Sequence, residues 1–87
     1  MVKYEVVFLP KAIKQYSKLP NDLQEEIEET IELLKESENH DRLKVHKLHG
    51  ILKNFYSARV NYEYRIIFSY DASLLVVSLI GDHSLYK

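Results

Sequence analysis

The chain contains no cysteine and no tryptophan, and its 87 residues include only two glycines and two prolines. The lack of cysteine excludes disulfides, thiolate metal sites and a cysteine nucleophile, and it is compatible with a reducing cytoplasm. The longest apolar run, at residues 74–80, is far too short to cross a membrane, and no signal-like basic-then-apolar segment occurs at the N-terminus. We therefore expect a protein that acts without disulfides and without a membrane.

The length limits the size of the core. Eighty-seven residues are enough for one domain, predicted to span residues 1–87, and such a domain buries roughly 60–65% of the surface of its unfolded chain. Most apolar side chains are therefore needed for packing. The charged and polar residues remain as candidates for function.

Charges of the two signs nearly balance, but they are unevenly distributed. The formal net charge is −1. Residues 1–21 carry four lysines and one glutamate, residues 22–41 carry nine acids and one lysine, and residues 42–87 carry seven bases and three acids. We interpret the acidic stretch as a solvated helix face. Any field that attracts an anion must come from a local face, because the total charge is close to zero.

The spacing of apolar residues predicts the order strand, helix, helix, strand, strand, strand. The first strand lies within residues 2–8, and Pro10 suits the first turn of the helix that follows. The second helix begins near Asn21, which forms a weak capping box with Gln24, and it ends near Ser37. Residues 42–50 are short and mixed, which leaves a strand and an extended connector both open. The last three strands are predicted at residues 55–60, 64–70 and 74–80.

This order indicates an α+β domain. The predicted architecture is an N-terminal strand, an αα-hairpin and a three-stranded antiparallel meander, with the helices packed on one face of a single sheet. In the first helix, Leu9, Ala12, Ile13 and Tyr16 are predicted to form the buried face.

Side-chain alternation in the meander constrains two arginines. If the apolar sets of its first two strands face the helices, Arg59 and Arg65 lie together on the opposite face, paired with each other or nearly so. A slip of one residue would bury an arginine without a partner, which costs several kcal/mol. Two like charges across neighbouring strands are unfavourable by themselves. The pair makes physical sense if an anion lies between them.

At this point the chain resembles the RelE/ParE superfamily of toxins of type II toxin–antitoxin systems. The resemblance covers nearly the whole length. It is carried by the helix hairpin after a first strand and by an ordered set of segments: KLHG at 47–50, FYSARV at 55–60, YRIIF at 64–68, IGDH at 80–83, and Tyr86. The most similar members are the YoeB-like and YafQ-like mRNA interferases, so the resemblance implies the RelE-like βααβββ fold.

The resemblance also assigns roles to residues. The glutamate general base of YoeB-like members falls on His46, and the lysines of the first meander strand in RelE-like members are absent. The strand arginines of the family fall on Arg59 and Arg65. Its C-terminal histidine and terminal aromatic fall on His83 and Tyr86. The implied activity is cleavage of mRNA in the ribosomal A site by a cytoplasmic toxin. The implied partner is a cognate antitoxin, which neutralises the toxin by covering this face in a toxin–antitoxin hetero-oligomer.

Cleavage without a metal or other cofactor uses the 2′-OH of the RNA as nucleophile. We expect His46 to act as general base and Arg65 with Arg59 to stabilise the charge on the phosphorane. His83 is expected to be the general acid or a phosphate ligand, and Tyr86 to stack on or orient a base. Lys47 and Lys53 are expected to contact backbone phosphates.

Two other functions stay open. The chain could be a ParE-like toxin that inhibits DNA gyrase by binding, without an active site of its own. It could also be a catalytically weak protein with the toxin fold that only binds its antitoxin. The combination of His46, Arg65 and His83 favours the ribonuclease, whereas the low number of cations favours the other two.

Overall fold

The computed structural model describes residues 2–86, apart from the side chains of His83 and Tyr86. Short 3-10 helices occupy Ser37–Asn39, Gly50–Leu52 and His83–Tyr86. The strands and α-helices are β1 (Glu5–Phe8), α1 (Pro10–Ser17), α2 (Asn21–Leu34), β2 (His46–Lys47), β3 (Tyr56–Arg59), β4 (Tyr64–Asp71) and β5 (Leu74–Asp82). The predicted α+β fold is confirmed.

The strands form one five-stranded mixed sheet in the order β1-β5-β4-β3-β2. The predicted antiparallel meander, β3 to β5, lies at its centre. β1 pairs in parallel with β5, from Glu5 opposite Leu74 to Phe8 opposite Val77. The connector of residues 42–50 contains the two-residue strand β2, which adds to the other edge of the sheet beside β3.

Both helices cover one face of the sheet. The buried side chains of α2 recur every three or four residues, which places them on one stripe of the helix. They meet the inner face of β3, β4 and β5 in one cluster, and full burial of such a side chain contributes about 1.5–3 kcal/mol. The cluster includes Leu23, Ile27, Ile31, Leu34, Ala58, Ile66, Phe68, Leu75, Val77 and Ile80.

A bulge in β5 keeps this cluster on one side. The register shifts between Ile67 and Phe68, so that Ile67 pairs with Leu79 and Phe68 pairs with Val77. The extra residue, Ser78, changes the parity of the strand. Val77 and Ile80, three residues apart, can therefore both face the helices.

The prediction for α1 is wrong for two of its apolar residues. Ala12 is fully buried, but Ile13 is 54% exposed and Leu9 is 44% exposed. These two residues are exposed because α1 is short, with eight residues, and packs on β5 next to the edge strand β1. Nothing among the described residues covers its outer side.

The predicted capping box is also wrong. The N-cap of α2 is Pro20, and no side chain caps this end. The side chain of Gln24 instead donates a hydrogen bond of 2.9 Å to the carbonyl oxygen of Tyr16. Gln24 thereby ties the two helices of the hairpin together.

In the middle of the sheet, the side chains on the face opposite the helices are also buried. Ile67 and Leu48 are buried but do not belong to the helix-side cluster, and Ser57 is fully buried. The side chain of Leu85, in the C-terminal 3-10 helix, lies over Gly81. Across residues 2–86, the helices are too short or too polar to span a membrane.

Candidate functional site

Three residues form a row on the face opposite the helices. Arg59 of β3 pairs directly with Arg65 of β4, and Arg65 pairs with Gly81 of β5. Residues paired in this way share a face, with Cβ atoms roughly 4.5–5.5 Å apart. The predicted phase of the two arginines is therefore confirmed by the register, and the side chain of Leu85 fills the space over Gly81.

Arg65 is half-buried and is held by the β3–β4 turn. Its Nη1 donates to the carbonyl oxygens of Asn61 at 2.9 Å, Tyr64 at 3.1 Å and Tyr62 at 3.3 Å. Arg65 therefore bonds the carbonyl oxygens of the turn, and it does not form an ion pair with the neighbouring Glu63. The carbonyl dipoles partly offset the repulsion between the two guanidinium groups.

Arg59 is exposed, and its backbone N–H donates to the carbonyl oxygen of Leu43 at 2.8 Å. The ion pairs found among the described residues are Lys3–Glu36 and Lys35–Glu32. Neither involves an arginine of this face. A site with two guanidinium groups and no carboxylate partner found among these residues attracts an anion.

His46 lies on the same face, in the row next to the arginines. It pairs with Ser57 in β3, and Ser57 is two residues from Arg59. Its Nδ1 lies 2.9 Å from the carbonyl oxygen of Lys44, in a tight turn where Lys44 has a φ of 55°. A carbonyl only accepts hydrogen bonds, so Nδ1 carries the proton and Nε2 is the basic nitrogen of the neutral ring.

The two lysines predicted to bind phosphate lie elsewhere. Lys47 pairs with Tyr56, whose side chain packs against the helix-side cluster. Register therefore directs Lys47 to the helix side of the sheet edge. Lys53 is exposed at the end of the 3-10 helix Gly50–Leu52, in the loop before β3.

The side chains of His83 and Tyr86 lie outside the described part of the structure. Their backbone forms the C-terminal 3-10 helix that follows β5 directly. Since Arg65 pairs with Gly81, this helix begins two residues from the arginine row. The backbone therefore brings the C-terminal segment to the end of the sheet where the arginines lie.

Tyr62 is 92% exposed at the tip of the β3–β4 turn, beside the arginine row. Tyr64, by contrast, packs against the core. Tyr62 is therefore an aromatic side chain that is available to a ligand.

His40 has a structural role that the patterns in the sequence do not indicate. Its Nε2 bonds the carbonyl oxygen of Leu34 at 2.8 Å and its Nδ1 lies 3.3 Å from the hydroxyl of Tyr70. The ring stacks on Tyr4. Burial raises the pKa of Tyr70 to about 12, with contributions from Tyr4 and Tyr56. Only the long-range packing of α2 against β4 could have indicated this cluster.

A groove of about 500 Å³ lies at the outer edge of β1, away from the arginine face. Acidic side chains of α2, Glu28 and Glu32, form one rim, and Glu28 accepts a hydrogen bond from the hydroxyl of Tyr16, whose pKa this contact raises. Its apolar lining is Val6, Phe8, Ile13, Tyr16, Ile27 and Ile31.

The chemistry available on the arginine face is that of an anion site with a base. Two cations lie in register, one histidine offers Nε2 nearby, and one aromatic ring stands at the rim. Among the residues whose side chains are described, no group of three or more His, Asp or Glu side chains is arranged to hold a metal ion.

Comparison with known proteins identifies the family. Residues 7–83 match the family described as the RelE-like toxin of the type II toxin–antitoxin system HigB. The chain belongs to this family. No curated protein sequence matches this RelE-family toxin.

Solved structures of other toxins share its fold. YafQ from E. coli strain BL21(DE3) is 15% identical, with a TM-score of 0.79 over 97% of this chain and 98% of that one. YoeB in the YoeB–YefM complex from Staphylococcus aureus is 21% identical, with a TM-score of 0.74 over 94% and 99%. A chain of the RelE–RelB complex from Pyrococcus horikoshii OT3 is 21% identical, with a TM-score of 0.74 over 93% of this chain and 96% of that one. At these identities the likeness establishes the fold.

Proposed function

We propose that this RelE-family toxin is an endoribonuclease that cleaves mRNA bound in the ribosomal A site. The observation that carries the proposal is the direct pairing of Arg59 with Arg65 on a face that also holds His46. Cleavage of a phosphodiester passes through a dianionic phosphorane, which cations stabilise. Cations that are already held in place do so best, because no free energy is then spent on orienting them.

In this mechanism His46 takes the proton of the 2′-OH through Nε2. The Nδ1 contact with the Lys44 carbonyl holds the ring in the required tautomer. Arg65, oriented by the turn carbonyls, and Arg59 stabilise the phosphorane. His83 gives a proton to the leaving 5′-oxygen, and Tyr86 stacks on or orients a base. Lys53, in the loop before β3, contacts a flanking phosphate, whereas Lys47, on the helix side of the sheet edge, attracts the RNA only through its charge.

The experiment is cleavage of a defined mRNA on purified ribosomes, read as new 5′ ends by primer extension. We expect the wild type to cleave in the A-site codon and Arg65→Ala to be inactive while keeping its fold. Lys18→Ala is the matched control, since it removes one exposed positive charge from α1, on the helix side of the sheet. Equal cleavage by wild type and Arg65→Ala would refute the ribonuclease.

The same preparations separate the competing functions. Altered plasmid supercoiling by a protein that leaves mRNA intact would indicate gyrase inhibition instead. A protein without effect on either substrate, and without a growth defect on expression, would indicate that it only binds a partner.

We further propose that a cognate antitoxin is the partner and that one of its segments occupies the groove beside β1. Related toxins have been crystallised as YoeB–YefM, RelE–RelB and DinJ–YafQ complexes. Five of the exposed large apolar residues are concentrated between residues 2 and 13: Val2, Val7, Phe8, Leu9 and Ile13. Such a concentration marks an interaction surface.

Charge defines the kind of segment that fits. The floor of the groove is apolar, and its rim carries Glu28, Glu32 and Lys35, with Lys35 paired to Glu32 at 2.6 Å. We propose an amphipathic segment that buries apolar side chains in the groove and directs a basic side chain at Glu28. A complex formed in the cytoplasm would hold the toxin inactive as a hetero-oligomer.

A further inference from the structure

The β3–β4 turn is built by the side chain of one residue, Asn61. Its Oδ1 accepts hydrogen bonds from the backbone N–H groups of Glu63 and Tyr64, both at 2.8 Å. This is the geometry by which an asparagine folds the chain back on itself. Its Nδ2 donates to Oε1 of Glu26 in α2 at 3.3 Å, which links the turn to the helix layer.

The same turn supplies the oxygen atoms that hold Arg65. The carbonyl oxygens of Asn61, Tyr62 and Tyr64 all accept from Nη1. Their convergence depends on the fold of the turn, because extended residues direct successive carbonyls to opposite sides. Tyr64 also accepts from the backbone N–H of Val60 at 3.0 Å, which closes the hairpin.

We propose that Asn61 is a positioning residue for Arg65. Its side chain sets the turn, the turn aligns three carbonyl oxygens, and these hold Nη1 so that the rest of the guanidinium is presented to the phosphate. The proposal rests on the ribonuclease function argued above, since it names the residue that orients the principal cation of that site.

The physical basis is the cost of ordering a long side chain. An arginine has many rotamers, and it loses this freedom when it is fixed in one geometry. The hydrogen bonds described for Arg65 within residues 2–86 all use Nη1, which leaves its Nε and Nη2 donors to bind an incoming anion. A side chain already held in place loses little freedom when the phosphorane forms.

The first test observes Arg65 without any substrate. Its guanidinium signals in an arginine-selective ¹⁵N–¹H spectrum, assigned by their loss in Arg65→Lys, report whether rotation about the Cζ–N bonds is hindered. We expect separate Nη signals in the wild type and one averaged signal in Asn61→Ala. An unchanged Arg65 signal in Asn61→Ala would overturn the proposal whatever the activity.

The second test measures cleavage. We expect Asn61→Ala to lower kcat roughly 10- to 100-fold with little change in KM, because Arg59 and the lysines still attract RNA. Asn61→Asp combined with Glu26→Gln restores both the Oδ1 acceptor and a donor–acceptor pair with α2, so this double variant should regain most of the rate and the separate Nη signals.

A matched control separates positioning from stability. Asn39→Ala removes an asparagine whose Nδ2 donates 3.0 Å to the carbonyl oxygen of Leu33, in the helix layer. It should lower Tm as much as Asn61→Ala does, and leave kcat and the Arg65 signals unchanged. If Asn39→Ala and Asn61→Ala lose kcat in proportion to their loss of Tm, the effect is one of stability and the proposal is overturned.

The outcomes distinguish the two levels of inference. If Arg65→Ala cleaves mRNA normally, the ribonuclease function fails. If Arg65→Ala is inactive but Asn61→Ala cleaves at the wild-type rate, the ribonuclease stands and the role of Asn61 is refuted.

Discussion

Arg59 and Arg65 face each other in direct register across β3 and β4, and the guanidinium of Arg65 turns away from its neighbour to bind carbonyl oxygens of the β3–β4 turn. Two like charges in this position destabilise a sheet. The turn carbonyls reduce this destabilisation at Arg65, and exposure to water reduces it at Arg59. A sheet that keeps both cations on one face is prepared for an anion.

The two arginines should differ in their contribution to cleavage. We expect Arg65→Ala to lower kcat at least about 100-fold, and Arg59→Ala to act more weakly, mainly on KM, because this side chain is exposed. Arg65→Lys should stay strongly impaired, since an ammonium group cannot both bind three carbonyls and present a planar fork. Single-turnover cleavage on programmed ribosomes gives both parameters. A larger loss of kcat in Arg59→Ala than in Arg65→Ala would contradict this assignment of roles.

His46 should control the dependence of cleavage on pH. His46→Gln keeps a polar side chain and loses the base, so we expect kcat to fall about 100-fold and the rise of rate with pH to disappear. His46→Glu restores a base of the type found in YoeB-like members and should shift that rise to lower pH, because carboxyl groups titrate below imidazoles. His49→Gln serves as the control, as it changes an exposed histidine three residues away. A pH profile unchanged in His46→Gln would remove His46 from the mechanism.

Tyr70 should make stability fall at alkaline pH. Burial raises its pKa to about 12, whereas an unfolded tyrosine titrates near 10. The native state therefore keeps a proton that the unfolded state has lost, and the contribution to the free energy of unfolding, complete below about pH 10, decreases as the pH rises toward 12. Urea unfolding of wild type and Tyr70→Phe at several pH values measures it. The variant should be less stable at neutral pH, since it loses the contact with His40, but its stability should depend less on pH above 10.

Gly81→Ala should disturb the end of the sheet beside Arg65. The added Cβ would lie 3.0 Å from Cδ2 and 3.2 Å from Cγ of Leu85, so the Leu85 side chain must shift by a few tenths of an ångström. We expect a loss of roughly 1–3 kcal/mol in the free energy of unfolding, together with lower cleavage. In a Leu85→Ala background the clash is absent, and the added methyl group should then cost much less. Equal costs in both backgrounds would show that this contact is not the cause.

The groove beside β1 should be tested with a charged substitution. Ile13→Glu replaces an apolar side chain of the groove by a carboxylate at an already exposed position. Burying this carboxylate against the apolar side chains of the partner should weaken antitoxin binding at least tenfold, while folding and mRNA cleavage persist. Isothermal titration with the co-expressed antitoxin measures the change in Kd. Ile51→Glu is the control, because Ile51 is fully exposed in the loop before β3. Similar binding by Ile13→Glu and wild type would place the partner elsewhere.

Local patterns were enough for most of the elements. The periodicity of α2, the turn residues of the meander and the alternation of its strands predicted the helices, the three central strands and the phase of Arg59 with Arg65. The errors fall where distant parts of the chain compete. Ile13 has the spacing of a core residue, but it lies at the edge strand with nothing to cover it. Gln24 has the position of a capping residue, but the nearer partner is the carbonyl of Tyr16.

The sequence by itself determined the α+β class, the side of the sheet on which the residues of the first two meander strands lie, and the candidate residues, because these follow from local periodicity. The tertiary structure alone decided the parallel pairing of β1 with β5, the hold of the β3–β4 turn on Arg65, the tautomer of His46 and the groove at the β1 edge. Each depends on contacts between residues far apart in the chain or on the direction of individual carbonyl groups, and a pattern of apolar and polar residues contains no information on either.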